Sequence, residues 1–257
     1  MRTLIYATAF SGRHRSWCQL WHESVRRHYE GDMLIITDDP DHIRAGKIGV
    51  NHPRTKLVHI KDLHKRPEYT LARLTIGPMA IELEKYDLIM YTDVDTVMMH
   101  SPEPMFKFIE QNSHSAPIIY TREPIPITSR WHGSVLRLEG YVPDDKSRLG
   151  INTGFWICKA EEFLKLADLW FKAYQYYCCL LNDLNDQPVF NWLVETNKIK
   201  ALEAPQHFQF FPEYMKRKCP LKDYEHRKKE KNIIWHFTGI NDRKVWEAMR
   251  KALGYET

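Results

Sequence analysis

Two aspartates separated by one residue, Asp93 and Asp95, stand at the end of an apolar segment that begins at Tyr86. The segment has no helical periodicity, which is typical of a buried strand in a parallel sheet. Two carboxylates this close repel each other unless they are hydrogen-bonded or neutralised, and divalent cations prefer such oxygen ligands. Because open α/β sheets bind ligands at the carboxyl ends of their strands, the pair predicts a metal site.

The residues before this pair alternate between strand and helix patterns. We expect strands at 4–9, 32–37 and 56–60, and helices at 17–29 and at 70–84, the latter interrupted near Gly77-Pro78. A β-α-β opening is typical of a parallel sheet with right-handed crossovers. The order therefore predicts an α/β nucleotide-binding fold, with the second helix leading directly into the acidic strand.

After the aspartates the patterns continue, with one interruption. Strands are predicted at 116–120, 150–158 and 232–239, and helices at 105–111, 160–181, 189–196 and 245–253. Residues 121–149 have no clean period but contain several aromatic residues, so we interpret them as an ordered, irregular insertion and a candidate substrate lid. Trp131, Trp156 and Trp170 are predicted to belong to the core.

Composition narrows the class of protein. With 257 residues, 43% of them hydrophobic, the chain can bury the core of one large α/β domain. Five cysteines without a CxxC pair argue against a zinc site and against a disulfide framework, and indicate reduced thiols. No stretch approaches the roughly 20 apolar residues of a membrane span, and no signal-peptide pattern precedes the first strand. We therefore expect a soluble, cytoplasmic protein.

The charge distribution leaves two interpretations open. A net charge of +4 is too small to indicate nucleic acid as a partner, but most of the excess positive charge lies in the basic tract 216–231. The commoner explanation of such a tract is a solvated loop. The alternative is a patch that contacts an anionic substrate or makes peripheral contact with a membrane surface.

Four motifs, in this order, resemble those of metal-dependent nucleotide-sugar glycosyltransferases of the GT-A fold, most of all the glycogenin-like family 8. They are Asp93-Val94-Asp95 after a helix that carries Arg73, then Asn152-Thr153-Gly154-Phe155, then Asp183-Leu184-Asn185-Asp186-Gln187, and finally His236-Phe237-Thr238-Gly239 with Trp246 beyond. The resemblance spans nearly the whole chain. It implies a single Rossmann-like GT-A domain over 1–257 with a mostly parallel central sheet flanked by helices. Residues 1–100 would be its nucleotide-binding half and 101–257 its donor-sugar and acceptor half.

The resemblance also implies a set of site residues. His236 would join Asp93 and Asp95 as a ligand of Mn²⁺ or Mg²⁺, and one of the aspartates would also reach the ribose. Asp186 and Gln187 would be the catalytic pair, with Asp186 near the anomeric carbon, either as a nucleophile or as a group that orients the sugar while the acceptor attacks from the leaving-group side. The remaining donor-binding residues would be Ala7, Thr8 and Ala9 around the uridine, Arg73 near the phosphates or the sugar, Asn152 and Asp183 around the sugar, and Gly239 with Lys244 or Arg243 near the diphosphate.

The activity implied is the transfer of a hexose or pentose from a UDP-sugar to a hydroxyl group of a glycan or other acceptor, with retention at the anomeric carbon. A nucleoside diphosphate leaves readily only when its developing charge is met, which a divalent cation does as a Lewis acid.

Two other classes of protein fit part of the same pattern. In haloacid-dehalogenase phosphatases a similar motif supplies a nucleophile and a general acid, which would be Asp93 and Asp95 here. That motif lies near the N-terminus of those enzymes, whereas about ninety residues of β-α-β character precede it here. A sugar-binding or nucleotide-binding module without catalysis would not need the three metal ligands. Both alternatives are therefore ranked below the transferase.

Overall fold

The computed structural model describes residues 1–10, 12–45, 48–61, 72–112, 114–182, 185–212, 231–237 and 242–255, with the backbone alone at 12, 13, 76, 78 and 242–244. The first strand, β1, is almost wholly buried, and it opens with Leu4, Ile5 and Tyr6, of which isoleucine and tyrosine are strong strand formers.

The described strands form two sheets. Seven of them have the order β3-β2-β1-β4-β7-β6-β8, and three have the order β5-β10-β9. Their bounds are β1 Thr3–Ala9, β2 Asp32–Thr37, β3 Thr55–His59, β4 Leu88–Thr92, β5 Thr96–Met98, β6 Ile118–Pro126, β7 Leu149–Lys159, β8 Ala201–Glu203, β9 Gln209–Phe210 and β10 Ile234–His236.

The described helices are mostly short. Their bounds are α1 Gly12–Arg26, α2 Pro40–Arg44, α3 Gly77–Ala80, α4 Glu103–Asn112, α5 Arg130–Leu138, α6 Ala160–Leu181, α7 Gln187–Glu195 and α8 Asp242–Ala252. A π-helical turn, Ala72–Ile76, runs into α3, and 3₁₀ turns occupy Leu83–Lys85 and Gln206–Phe208.

The larger sheet is mostly parallel. β2 runs parallel to both β1 and β3, and β6 runs parallel to β8. β6 and β7 are antiparallel, with a register shift after Tyr120. A parallel neighbour requires a crossover, which explains why helices separate these strands along the chain. The predicted α/β class with a mostly parallel sheet is confirmed.

The structure corrects the predicted irregular insertion at 121–149. β6 extends to Pro126, and α5 occupies Arg130–Leu138. The helix is short and contains Gly133, a residue that lowers helix propensity. This glycine has a packing role, because a Cβ at Gly133 would lie 2.4 Å from the carbonyl oxygen of Ile127.

Other boundaries also differ from prediction. α1 begins at Gly12, five positions before the predicted start at Trp17, and the strand predicted at 232–239 is β10, which ends at His236. Trp156 and Trp170 are fully buried as predicted, whereas Trp131 is 44% exposed, so the core assignment of Trp131 is wrong. The break predicted near Gly77 is present as the change from π-helix to α3.

The chain divides into two compact units that interleave along the sequence. Unit 1 comprises Met1–Thr3, Lys65–Tyr91 and Phe108–Ala204, and unit 2 comprises Leu4–His64, Thr92–Lys107 and Pro205–Thr257. Within unit 1, Trp156 stacks on Tyr91 with ring centroids 5.6 Å apart and meets Trp170 edge-on. Within unit 2, Trp21 is buried and donates its indole N–H to the Thr92 hydroxyl at 2.7 Å.

Three further sequence-based expectations concern membrane-spanning helices, the cysteines and the basic tract. Among the helices that the structure describes, none has both the length and the apolar composition to cross a bilayer. Cys18, Cys158, Cys178 and Cys179 are free thiols. Residues 216–230 of the basic tract lie outside the described residues.

Candidate active site

The two aspartates occupy the connection between β4, which ends at Thr92, and β5, which begins at Thr96. β10 runs antiparallel to β5 and places His236 opposite Thr96. The next backbone contact continues this ladder, because the N–H of Phe237 donates to the carbonyl oxygen of Asp95 at 3.0 Å. The register of two short strands therefore brings His236 beside Asp95.

The three side chains converge within unit 2. His236 Nε2 lies 3.1 Å from Asp95 Oδ1 and 4.0 Å from Asp93 Oδ2. One ligand atom from each residue lies within 4.8 Å of the other two. The imidazole is 2% exposed, whereas the Asp93 and Asp95 carboxylates are 36% and 21% exposed. We call these three residues the metal cluster.

The donor set fits a divalent cation. Asp95 Oδ1 is buried without a hydrogen bond of good geometry, although the imidazole nitrogen lies close to it. Burial alone would raise the pKa of Asp95, but the positive charge and proximity of His236 outweigh this, and the pKa lies below its ordinary value. A carboxylate must be ionised and an imidazole neutral to bind a metal, so a cation would replace the positive charge of His236 beside this carboxylate. Two carboxylates with one imidazole suit Mn²⁺ and also accommodate Mg²⁺.

A second cluster of polar side chains is buried within unit 1, and Arg73 is at its centre. Arg73 belongs to the π-helical turn, forms a short ion pair with Asp186, and donates to the carbonyl and hydroxyl oxygens of Thr153 at 3.2 Å each. Its guanidinium lies over the rings of Tyr91 and Trp170, with its carbon 5.2 and 5.3 Å from their centroids. Such contacts favour a desolvated cation.

Asp186 stands at the N-cap position of α7 but makes no side-chain capping hydrogen bond. Its carboxylate is engaged with Arg73 instead. The charge of Asp186 is thus compensated inside the protein, and each member of the pair would be a costly unpaired charge without the other.

The amide of Gln187 has a defined orientation. Its Oε1 accepts the backbone N–H of Thr153 at 3.2 Å, and since that group only donates, the amide nitrogen must point the other way. The nitrogen donates to Glu123 Oε1 at 3.0 Å. Asn152 donates to the other oxygen of Glu123 at 2.9 Å, so the carboxylate holds two amides in place.

Sequence reasoning missed Glu123 and its partner His132. His132 Nε2 lies 2.6 Å from Glu123 Oε1, and its Nδ1 lies 3.0 Å from the hydroxyl of Ser129. The same Nε2 lies 2.8 Å from the amide nitrogen of Gln187, so the imidazole contacts both the carboxylate and the amide. Both residues lie in the segment that showed no period, so no strand or helix pattern pointed to an inward-facing position. We call Arg73, Glu123, His132, Asn152, Asp186 and Gln187 the amide–carboxylate cluster.

The remaining predicted site residues are placed as follows. Ala7 and Ala9 are buried in β1, and Thr8 between them is half-buried. Asp183, Gly239 and the side chains of Arg243 and Lys244 lie outside the described residues. The roles assigned to all of them stay predictions.

Comparison with known proteins bears on the fold. No protein-family model matches the chain, and no curated protein sequence matches it. Among solved structures, the chain is similar to the galactosyltransferase LgtC in complex with donor and acceptor sugar analogues. The match has a TM-score of 0.60 and 16% sequence identity, and covers 98% of this chain and 95% of that one. The chain therefore has the GT-A fold predicted from its motifs.

Proposed function

We propose that this chain, which has the GT-A fold, is a metal-dependent glycosyltransferase that moves a sugar from a UDP-sugar to a hydroxyl group of a glycan or other acceptor. The proposal extends to retention of the anomeric configuration. LgtC, the galactosyltransferase to which the fold is similar, is described with donor and acceptor sugar analogues.

The observation that carries the proposal is the convergence of Asp93, Asp95 and His236 at the carboxyl end of β4. When bound there, Mn²⁺ or Mg²⁺ would supply Lewis acidity to the departing diphosphate. The chain itself would contribute the two carboxylates and the imidazole that hold the cation. In the same proposal Gly239 and either Lys244 or Arg243 contact the diphosphate, and Ala7, Thr8 and Ala9 line the uridine pocket.

The amide–carboxylate cluster is proposed to bind the donor sugar. Gln187 and Asn152 are candidates for hydroxyl contacts, and Asp183 is proposed to lie beside them. Asp186 is paired with Arg73, and its carboxylate is therefore charge-compensated. A compensated, buried carboxylate is a weaker nucleophile than a free one, so we assign Asp186 the task of orienting the sugar rather than of attacking it.

The phosphatase alternative finds little support in the same geometry. Such enzymes need a lysine and a further acidic pair near the first two aspartates. Among the described residues, the group that completes a metal-binding set with Asp93 and Asp95 is the imidazole of His236. That imidazole lies 3.1 Å from Asp95, so it would compete for the carboxylate that the phosphatase mechanism uses as its general acid.

A donor screen tests the proposal. Release of UDP is measured from a panel of UDP-sugars with Mn²⁺ and a panel of glycan acceptors, and the anomeric configuration of the product is read by NMR. We expect turnover with at least one donor, none with Asp95→Asn, and wild-type turnover with Asp32→Asn, whose ion pair with Arg54 lies in the same unit. Hydrolysis of phosphomonoesters without turnover of any UDP-sugar would overturn the proposal.

A further inference from the structure

Gln209 contacts Nδ1 of His236, the ring nitrogen other than the one that faces Asp95. It is the first residue of β9, which runs parallel to β10 and pairs Gln209 with Ile234. The side-chain nitrogen of Gln209 lies 2.7 Å from Nδ1 of His236, and both residues are buried. The ring of Phe211 lies 5.4 Å from the imidazole and confines it further.

The two nitrogens of His236 have different tasks. Nε2 faces Asp95 Oδ1 at 3.1 Å, so it is the atom that would bind a cation. A cation takes the lone pair of a neutral imidazole, which requires the ring proton to be on the other nitrogen, Nδ1. The group that contacts Nδ1 therefore decides whether Nε2 is available.

A glutamine beside Nδ1 can favour either tautomer. With its amino group toward Nδ1 it donates, which leaves the ring proton on Nε2 and blocks the metal-binding lone pair. After a half-turn of the terminal torsion its oxygen accepts from Nδ1–H, and Nε2 is then free to bind. Outer partners of this second kind fix the ring and raise the basicity of the metal-binding nitrogen.

We propose that Gln209 is a positioning residue of the metal cluster: its amide oxygen accepts Nδ1–H and selects the His236 tautomer that binds the cation. The inference rests on the proposed function, because it takes the metal cluster as its starting point. Gln209 itself would not contact the cation or the substrate.

The test measures Mn²⁺ affinity by electron paramagnetic resonance on the full chain, with thermal unfolding as a check of folding. Gln209→Leu removes the acceptor, and Gln209→Glu keeps an acceptor that cannot donate when ionised. Phe210→Leu is the matched control, because Phe210 follows on the same strand and packs on Trp235, the neighbour of His236.

We expect Gln209→Leu to weaken Mn²⁺ binding by about 10-fold or more, in line with other outer-shell changes. Gln209→Glu should bind at least as tightly as wild type, and Phe210→Leu should bind within about 2-fold of it. Wild-type affinity in folded Gln209→Leu, or an affinity lost in folded Gln209→Glu, would overturn the inference. His236→Ala distinguishes a failure of the Gln209 inference from a failure of the metal cluster, since unchanged Mn²⁺ binding in that variant would contradict the metal cluster itself.

Discussion

The imidazole of His132 packs directly on the backbone of Gly150. A Cβ added at Gly150 would lie 2.2 Å from Cγ and Cδ2 of that ring. Gly150 is the second residue of β7, two positions before Asn152. The absence of a side chain at Gly150 thus allows the buried His132 to reach Glu123, and through it the amide of Gln187.

Replacing Gly150 with alanine should displace the ring of His132. Overpacking a tight site costs about 1–3 kcal/mol of unfolding free energy, which urea denaturation would detect. In a His132→Ala background the same substitution should cost much less, because the clash is removed. An equal cost in both backgrounds of this double-mutant cycle would show that the two residues are not coupled.

Glu123→Gln should reduce turnover more than it reduces donor affinity. The substitution replaces one acceptor oxygen with an amino group that faces a donor from Gln187, Asn152 or His132, so at least one of these side chains must move. Steady-state kinetics with the donor found in the screen would measure kcat and KM. Glu203→Gln is the control, since Glu203 is about half exposed and pairs with Arg122. Equal kinetics for both variants would argue against a role for Glu123.

Arg73→Met should destabilise the chain by about 3–5 kcal/mol, because it leaves the carboxylate of Asp186 buried without its partner. The double variant Arg73→Met/Asp186→Leu should recover much of this loss, since it removes both charges. Urea denaturation of the two variants tests the pair. The stability of the single variant Asp186→Leu completes the comparison. If the losses of stability in Arg73→Met and Asp186→Leu simply add up in the double variant, the ion pair is not the cause of the destabilisation.

His22 makes the stability depend on pH. Burial, with a smaller contribution from the charges of Arg26 and His52, lowers its pKa from 6.5 to about 4. Between these values the unfolded chain binds a proton that the folded chain does not, so stability falls as the pH falls from about 6.5 to about 4, by at most about 3 kcal/mol. His22→Gln, which keeps a partner for Thr55, should show a flatter profile. A profile of the same slope in both proteins would contradict this assignment.

The metal cluster could be predicted because a local sequence pattern and a family resemblance both indicated it. Asp93 and Asp95 follow a buried apolar strand, and that pattern by itself indicates a site. His236 was added through the family resemblance, since nothing in the local sequence shows that β10 pairs with β5 in the register that brings the imidazole to Asp95.

Glu123, His132 and Gln209 could not be predicted for a different reason. Gln209 belongs to a strand of two residues, too short for any periodicity to show. Glu123 lies at a register shift of β6, and His132 lies in a nine-residue helix that contains a glycine. In each case tertiary contacts, and not local propensity, determine the conformation.

The central claim is that Asp93, Asp95 and His236 hold a cation that binds the diphosphate of a sugar donor. Thermal unfolding of the wild-type chain with Mn²⁺ alone, UDP alone and both together tests it most directly. We predict that Mn²⁺ and UDP together stabilise the chain by more than the sum of their separate effects, by about 2.7 kcal/mol at a ligand concentration 100 times Kd. This joint stabilisation should be lost in Asp95→Asn and in His236→Ala. If Mn²⁺ and UDP together stabilise the wild-type chain no more than either does alone, or stabilise both variants equally well, the claim is wrong.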